Sequence, residues 1–274
     1  MIIKILRGRN HQSQHSSMFL EGLQLDSSVS AEIVPAINSS VDLAVLWGHR
    51  QIQIINNQRK NNKPYLVMER AYMGDRFDWV SLGFNGLNGR ADFCNHDIIS
   101  SSRWDKYFSQ YLKPWKDIDR TKPVLVIGQV TGDAAHSHID IHQWYRDTIK
   151  YYNDNKISVI FRPHPLGKDD IIQYLKGLTF KLDTNSTLEE TFKEIRAVIS
   201  LNSNSSVLSV LEGIPTVTCD IGAMAYDVTS HDLSDIEYTP DRTKWCNQLA
   251  YTQWTPDEIR SGVAWQHLKK FFIK

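Results

Sequence analysis

The side chains best suited to chemistry in this 274-residue sequence follow three short apolar runs. VLVI at 124–127 leads into Gly128-Gln129 and then Gly132-Asp133. SVIF at 158–161 leads into Arg162-Pro163-His164-Pro165, and AVISL at 197–201 leads into Asn202-Ser203-Asn204-Ser205-Ser206. Each run reads as a buried strand ending on polar groups. In an open parallel sheet, ligands bind beyond the carboxyl ends of the strands. Arg162 is suited to a diphosphate, and His164, held extended between prolines, can donate to a phosphate or a leaving oxygen. The 202–206 turn opens an apolar helix, where amides and serine hydroxyls suit an anion, phosphate above all. Ser205 acting only as a helix cap is the plainer alternative. Gln129 or Asp133 can bind a hydroxyl or a base edge; Asp133 can equally cap the next helix.

A second group lies earlier. Glu69-Arg70 ends another apolar run, and Gly74-Asp75-Arg76-Phe77-Asp78-Trp79 follows. A loop carboxylate facing a cleft can serve as a general base. Asp75 and Asp78 are the first candidates and Glu69 the third, with loop structuring by Asp75 and Arg76 as the alternative. Arg7, His11 and His15 follow the first strand and should face the same cleft, in contact with substrate or with solvent. His136, His138 and His142, with Asp133 and Asp140, match no firm ligand spacing, so no metal is expected. GxGxxG, GxxxxGK[ST] and GxSxG are all absent from the sequence, which argues against a nicotinamide or flavin cofactor, a phosphate loop and a nucleophile elbow.

These groups need elements to hold them. Residues 2–6, 31–36, 43–47, 64–69 and 79–84 read as strands, with helices over about 18–25 and 51–59 and a polar loop over 7–17. Residues 91–122 show little periodicity, and LKPWKDIDRTKP makes the best linker. Beyond it come a βαβ unit over 124–165, a helix over 169–176 and a strand over 179–182. Thr187 and Glu190 form a capping box, and Thr255, Pro256 and Glu258 open a final helix. The pattern is α/β with largely parallel sheets, in two halves joined near residue 118.

Composition narrows the class. With 41% hydrophobic and 23% charged residues the chain reads as an ordinary globular protein. Lys+Arg and Asp+Glu both count 31, which gives no electrostatic argument for a polyanionic partner. Cys94, Cys219 and Cys246 are too widely spaced for a disulfide framework or a zinc site. The N-terminal apolar run is too short for a signal-peptide core, and no run approaches a membrane span, so a cytoplasmic protein with no membrane partner is expected.

Strand-GQ-x-x-GD, strand-RPHP, strand-N/S-rich turn-helix and then EGIPT resemble the C-terminal half of GT-B glycosyltransferases. His164-Pro165, Ser205-Ser206 and Glu212-Gly213-Ile214-Pro215 are similar to elements of capsular-polysaccharide Kdo transferases and bacterial sialyltransferases, which use them on the donor's nucleotide and phosphate. The resemblance covers roughly 124–220. ERAYMGDRFDWVSLGFNGLNGRA and QLAYTQWTPDEIRSGVAWQHL resemble uncharacterised bacteriophage proteins, and small GT-B enzymes glycosylate hydroxymethylated pyrimidines in phage DNA. The resemblance implies two Rossmann-like domains with parallel sheets facing a cleft: an acceptor-binding domain over 1–118 and a nucleotide-sugar-binding domain over 119–254. A helix over 255–274 would pack back on the first. It implies metal-independent sugar transfer from a nucleotide sugar, most simply a UDP-sugar, with no tightly bound cofactor. The acceptor would be a hydroxymethylated pyrimidine in double-stranded DNA, in the host cytoplasm. A surface polysaccharide acceptor, or a non-catalytic nucleotide-sugar-binding protein, are the alternatives. Gly128, Gln129, Asp133, Arg162, His164, Asn202, Ser203, Ser205, Ser206 and Glu212 would bind donor. Asp75 or Asp78 would be the base. Arg7, His11, Arg76 and Trp79 would meet acceptor, and Trp79, Phe84 or Tyr72 would stack on a flipped base.

Overall fold

The computed structural model describes residues 1–75 and 78–273, and of 168–170 the backbone only. The chain forms two compact units, Met1–Phe108 with Cys246–Lys274, and Ser109–Trp245. The changeovers come about ten residues earlier than residues 118 and 254, the expected boundaries.

The first unit begins with β1 (Ile2–Leu6), α1 (His11–Gln24), β2 (Ser30–Val34), β3 (Leu43–Trp47), α2 (Ile52–Lys60), β4 (Tyr65–Arg70), β5 (Val80–Phe84) and α3 (Ser102–Tyr107). The second holds β6 (Val124–Ile127), α4 (Ile141–Asp154), β7 (Val159–Arg162), α5 (Lys168–Tyr174), β8 (Lys181–Leu182), α6 (Leu188–Thr191), β9 (Ala197–Ser200), α7 (Ser205–Leu211) and β10 (Thr216–Thr218). The boundary back falls within α8 (Thr243–Leu249), and β11 (Gln253–Trp254), α9 (Pro256–Arg260) and α10 (Val263–Leu268) rejoin the first unit.

The first sheet runs β11-β5-β4-β3-β1-β2. Its β1–β4 pairings are parallel, while β5 pairs antiparallel with β4 and with β11. The expected parallel pairing holds over β4-β3-β1-β2, and the β5 and β11 edge is antiparallel. Leu43–Leu46 are fully buried, as expected of a central strand covered on both faces. Phe19 and Leu23 of α1 share a core with Ile259, Trp265 and Leu268 from the returning segment. A Cβ on Gly22 would overlap the Ile259 carbonyl oxygen, so this close approach of α1 to α9 requires glycine.

Three expectations change here. Helix α1 starts at His11, seven residues before the expected start. Its first turns are polar because Ser16 and Ser17 satisfy their hydroxyls on the carbonyls of Gln12 and Ser13, while only His15, Ser16, Met18 and Phe19 turn inward. The tail is two helices, because Gly262 adopts φ 76° between α9 and α10. Strand β11 is only two residues long and too short to show a period.

Arg103 of α3 ties the returning segment in. It donates to the carbonyls of Ala250 (2.6 Å) and Gln253 (2.8 Å), forks onto the Glu258 carboxylate and lies 4.3 Å over the Trp254 ring. Glu258 also closes the expected capping box with Thr255. Burial opposes the charge of Glu258, but the hydrogen bonds from Arg103 and Thr255 outweigh it and hold its pKa below the usual glutamate value.

The second sheet is wholly parallel in the order β10-β9-β6-β7-β8. Strands β6 and β9 carry no exposed residue, and Tyr145, Ile149 and Tyr152 of α4 pack beneath them with Phe161. The Thr187–Glu190 capping box forms as the sequence predicts. Part of the expected linker is bound tightly: Lys116 N donates to Gly213 O (2.7 Å), and a Cβ on Gly213, at φ 73°, would overlap the Pro114 carbonyl. Gly132 has a similar φ of 77° but open space around it. Gly213→Ala should therefore lower stability well beyond the roughly 1–2 kcal/mol of a left-handed alanine. Gly132→Ala should cost no more than that amount, as measured by urea denaturation of each variant.

Candidate active site

Strand β6 is the switch point of the second sheet, with β7 on one side and β9 on the other. A crevice is expected where the strand order reverses. Gly128 stands at its edge, where a Cβ would lie 3.0 Å from Arg162 O, His164 N and Pro163 Cα. The bond from Gly128 N to Arg162 O (2.8 Å) depends on this close approach.

Gln129 and Asn202 then join the two strand ends. Gln129 Nε2 donates to Asn202 Oδ1 (2.8 Å), and Asn202 N donates to Gln129 Oε1 (3.2 Å). Both residues are buried. Asn202 Nδ2 donates onward to Ala135 O (2.8 Å) and to Asp220 Oδ1 (2.9 Å). Asp220 follows β10; it also accepts from Gly222 N (2.8 Å), and its Oδ2 lies 2.7 Å from His138 Nε2. The ends of β6, β9 and β10 and the loop before α4 thus share one network.

Other expected donor residues have internal tasks. Arg162 Nη1 pairs with the buried Asp183 (2.6 Å) and also reaches Asn185 O, Thr187 O and Thr191 Oγ1, so a carboxylate already meets its charge. His164 Nδ1 accepts from Leu166 N (3.2 Å), which leaves Nε2 as the donor. Burial lowers the pKa of His164, against the nearby Asp133 carboxylate, so the neutral ring is favoured. Asp133 caps the following turn through Ala135 N (2.8 Å).

In the 202–206 turn, Ser203 rather than Ser205 caps, its Oγ accepting from Ser205 N (3.2 Å). Ser206 N and Val207 N donate to Ser203 O and Asn204 O, so these amides are met within the turn. Ser206 is fully buried, with its hydroxyl on Ser203 O (2.7 Å), and does not line the rim. Glu212 lies at the other end of α7, roughly 10 Å along the helix, and pairs with Lys113 (2.7 Å). It therefore lies away from the rim.

Beside the rim, Thr131, His142, Gln173 and Tyr174 line a cavity of about 460 Å³. The His142 and Tyr174 rings stack at 4.0 Å, and Thr131 Oγ1 is 3.1 Å from His142 Nε2. Among the described residues, no group of three or more His, Cys, Asp or Glu side chains is placed to hold a metal ion, and no helix is long and apolar enough to cross a membrane.

In the first unit, the ends of β1 and β3 bring His11 and His15 around Trp47: His15 stacks on it at 5.6 Å and His11 meets it edge-on at 5.3 Å. Arg7 is exposed, as are Asp75 and Asp78. Trp79 N and Asp78 N both donate to Asp75 O, closing the loop. Arg76 lies outside the described residues. Trp79 packs on Tyr107 (5.2 Å) and Phe108 (4.8 Å). Phe84 is fully buried, stacked on Phe271 at 4.2 Å, so it does not receive a flipped base. The Tyr72 hydroxyl is within 3.4 Å of Ser81 and Asn88, and burial raises its pKa.

No known family profile matches the sequence, and no curated protein matches it. Solved structures do. The β-Kdo 2,4-transferase of KpsC from Thermosulfurimonas dismutans superposes with a TM-score of 0.61 at 12% identity, over 92% of this chain and 90% of that one. The β-Kdo 2,7-transferase of the same organism's KpsC gives 0.57 at 11% identity, over 97% and 99%. The fold is GT-B-like. At such identities the likeness concerns the fold.

Asp220 and His138 are the rim residues that sequence reasoning missed as a pair. The signal for Asp220 was present, since TVTCD is another apolar run ending on a polar residue. His138 was weighed only as a metal ligand, and its partner lies 82 residues away.

The Arg162–Asp183 pair gives a pH test. Burial opposes the Asp183 charge, but bonds from Thr191, Arg162 and Asn185 hold its pKa below the ordinary value of 3.8. A carboxylate depressed on folding adds stability above its unfolded pKa, and that stability is lost as pH falls through the folded value. Asp183→Asn should destabilise the protein at pH 7, and its stability should fall less than that of the wild type between about pH 5 and pH 2 in urea titrations.

Proposed function

We propose that the protein transfers a sugar from a nucleotide-sugar donor to a hydroxyl acceptor, with the donor's phosphates at the carboxyl edge of the second unit's sheet. The observation that supports this most is the Gln129–Asn202 pair across the β6–β9 switch point, flanked by His164 and His138. Hydrogen-bonding amides, a neutral imidazole donor and a carboxylate-backed histidine suit a phosphate ester better than an apolar ligand. The likeness to two Kdo transferases agrees with this choice. A UDP-sugar is the first donor to test. Asp75 and Asp78, both exposed, remain the proposed acceptor base.

For the acceptor we favour a saccharide hydroxyl. Phe84 lies in the core and Trp79 is engaged by Tyr107 and Phe108, which removes two stacking platforms for a flipped base. The equal counts of 31 basic and 31 acidic residues supply no surplus for tracking a phosphate backbone. Hydroxymethylated pyrimidine in DNA is the second reading, carried by the sequence resemblance.

The test is a panel of UDP-, ADP-, GDP- and CMP-sugars assayed for binding by calorimetry and for nucleotide release. Saccharides form one acceptor arm, and hydroxymethylated DNA, digested to nucleosides for mass spectrometry, forms the other. One donor should bind and turn over, with a mass gain in the saccharide arm; a gain in the nucleosides instead would establish the DNA acceptor. Asp75→Asn or Asp78→Asn should cut turnover about 10²-fold while leaving donor affinity intact. Absence of binding by every nucleotide sugar would overturn the proposal.

A further inference from the structure

We propose that a cavity on the amino edge of the second unit's sheet binds a phosphate group, either as free phosphate or on a small phosphate ester. This site lies wholly within the second unit and does not depend on the sugar-transfer reading. Pro123, Arg196 and Pro215 immediately precede β6, β9 and β10, so this edge is one strand length, roughly 13 Å, from the rim. Backbone bonds join the three strand starts: Arg196 N donates to Pro123 O (3.0 Å) and Val198 N to Pro215 O (3.0 Å). The segment before β6 is laid against the end of α7 by the bonds from Lys113 N to Leu211 O (2.8 Å) and from Lys116 N to Gly213 O (2.7 Å).

The cavity here holds about 230 Å³. Lys116, Lys122, Lys193 and Arg196 line it together with the buried Phe192, Ile195 and Ile214. Pockets for drug-sized ligands run from about 300 to 1,000 Å³, so this one suits a small ion or ester rather than a nucleotide sugar. Its charge is one-sided, with four cations against the carboxylates of Asp117 and Asp119. Asp119 is turned onto its own loop, where Thr121 N (3.0 Å) and Thr121 Oγ1 (2.5 Å) donate to it. Those bonds lower its pKa, and the charges of Lys122 and Arg196 add to the effect.

The cations are left with donors to give. Among the described residues, the Arg196 guanidinium has no hydrogen bond and no ion pair. Its Nε is closed off from solvent without an acceptor, which leaves the two outer nitrogens to meet a ligand. Lys122 Nζ gives one of its three hydrogens to Lys193 O (2.9 Å). At Lys116, desolvation lowers the pKa; Glu212 opposes this, and the charges of Lys113 and Lys122 add to the lowering. The fold therefore gathers like charges at one place and leaves them short of acceptors, an arrangement that a compact anion relieves. A phosphate fits the set best. Its oxygens match the fork of an arginine, its double charge answers several cations, and its size suits the volume. Chloride would use the charge without the fork, and a monocarboxylate carries only a single charge.

The experiment titrates inorganic phosphate, and separately glucose 6-phosphate, into the protein by calorimetry at about pH 7, with ionic strength held constant by sodium chloride. The wild type should bind one equivalent. Lys116→Glu and Lys193→Glu should each weaken binding at least about threefold, and Arg196→Gln about tenfold or more. His164→Ala, which alters the rim, should bind as the wild type does. Phosphate should also raise the urea midpoint of the wild type above its value in chloride, and do so less for Arg196→Gln. If Arg196→Gln fails to fold by circular dichroism, the two lysine variants decide the matter. Tighter binding of the ester marks a sugar phosphate as the source, and tighter binding of phosphate marks the free ion; either supports the site. No binding by the wild type, affinity unchanged in the folded cavity variants, or binding lost in His164→Ala overturns it. Each of these results leaves the donor proposal to its own nucleotide-sugar panel.

Discussion

Two buried amides, Gln129 and Asn202, hold the carboxyl edge of the second sheet together. A buried amide left without partners costs about 1–3 kcal/mol, and the Gln129 side chain meets that need through Asn202 at both its oxygen and its nitrogen. That register follows from the parallel pairing of β6 with β9, which sets Val126 opposite Ile199 and brings the two strand ends level. From Asn202 the bonds pass to Asp220 and so to His138, and to the backbone of Ala135. The loop before α4 is thereby fixed by side chains from β9 and β10 as well as by its own turns. Gly128 belongs to the same constraint, since any side chain there would push β6 away from the RPHP backbone.

The first unit depends on a different kind of tie. Arg103 joins α3 to β11 and α9 through two carbonyls and the Glu258 carboxylate, with the Trp254 ring beneath it. Gly22 lets α1 lie directly on α9. Together these explain why the final segment folds with the beginning of the chain although well over a hundred residues separate them. The segment contributes an edge strand to the sheet and Trp265 and Leu268 to its core, so it is an integral layer of this unit.

Much of the local structure was legible. The strands at 43–47, 124–127, 159–162 and 197–200 are dense apolar runs, and both capping boxes form with the spacing that the sequence shows. The start of α1 was not legible, because HQSQHSS has no apolar stripe and its helix relies on serine back-bonding and on packing by the returning segment. The tail read as one helix because Gly262 alone carries little information until the α1–α9 contact demands a left-handed residue there. At the rim, Gln129 and Asn202 were found as strand-end residues. Their bond to each other was invisible, whereas the distance of Glu212 from the rim could have been read from its place after the helix that the 202–206 turn opens.

By itself the sequence determined the α/β alternation, the ends of the densely apolar strands and the helix starts marked by capping boxes, because periodicity, capping and turn chemistry act over a few residues. Only the tertiary structure decided which polar groups are available. Arg162 and Asp183 are 21 residues apart, and His138 and Asp220 are 82 apart; strand order and register make them neighbours. Packing also turns Ser206 inward and carries Phe84 into the core. A residue type states what a side chain can do. Its burial and its partner, both set by contacts distant in sequence, decide whether it is satisfied within the fold or presented to a ligand.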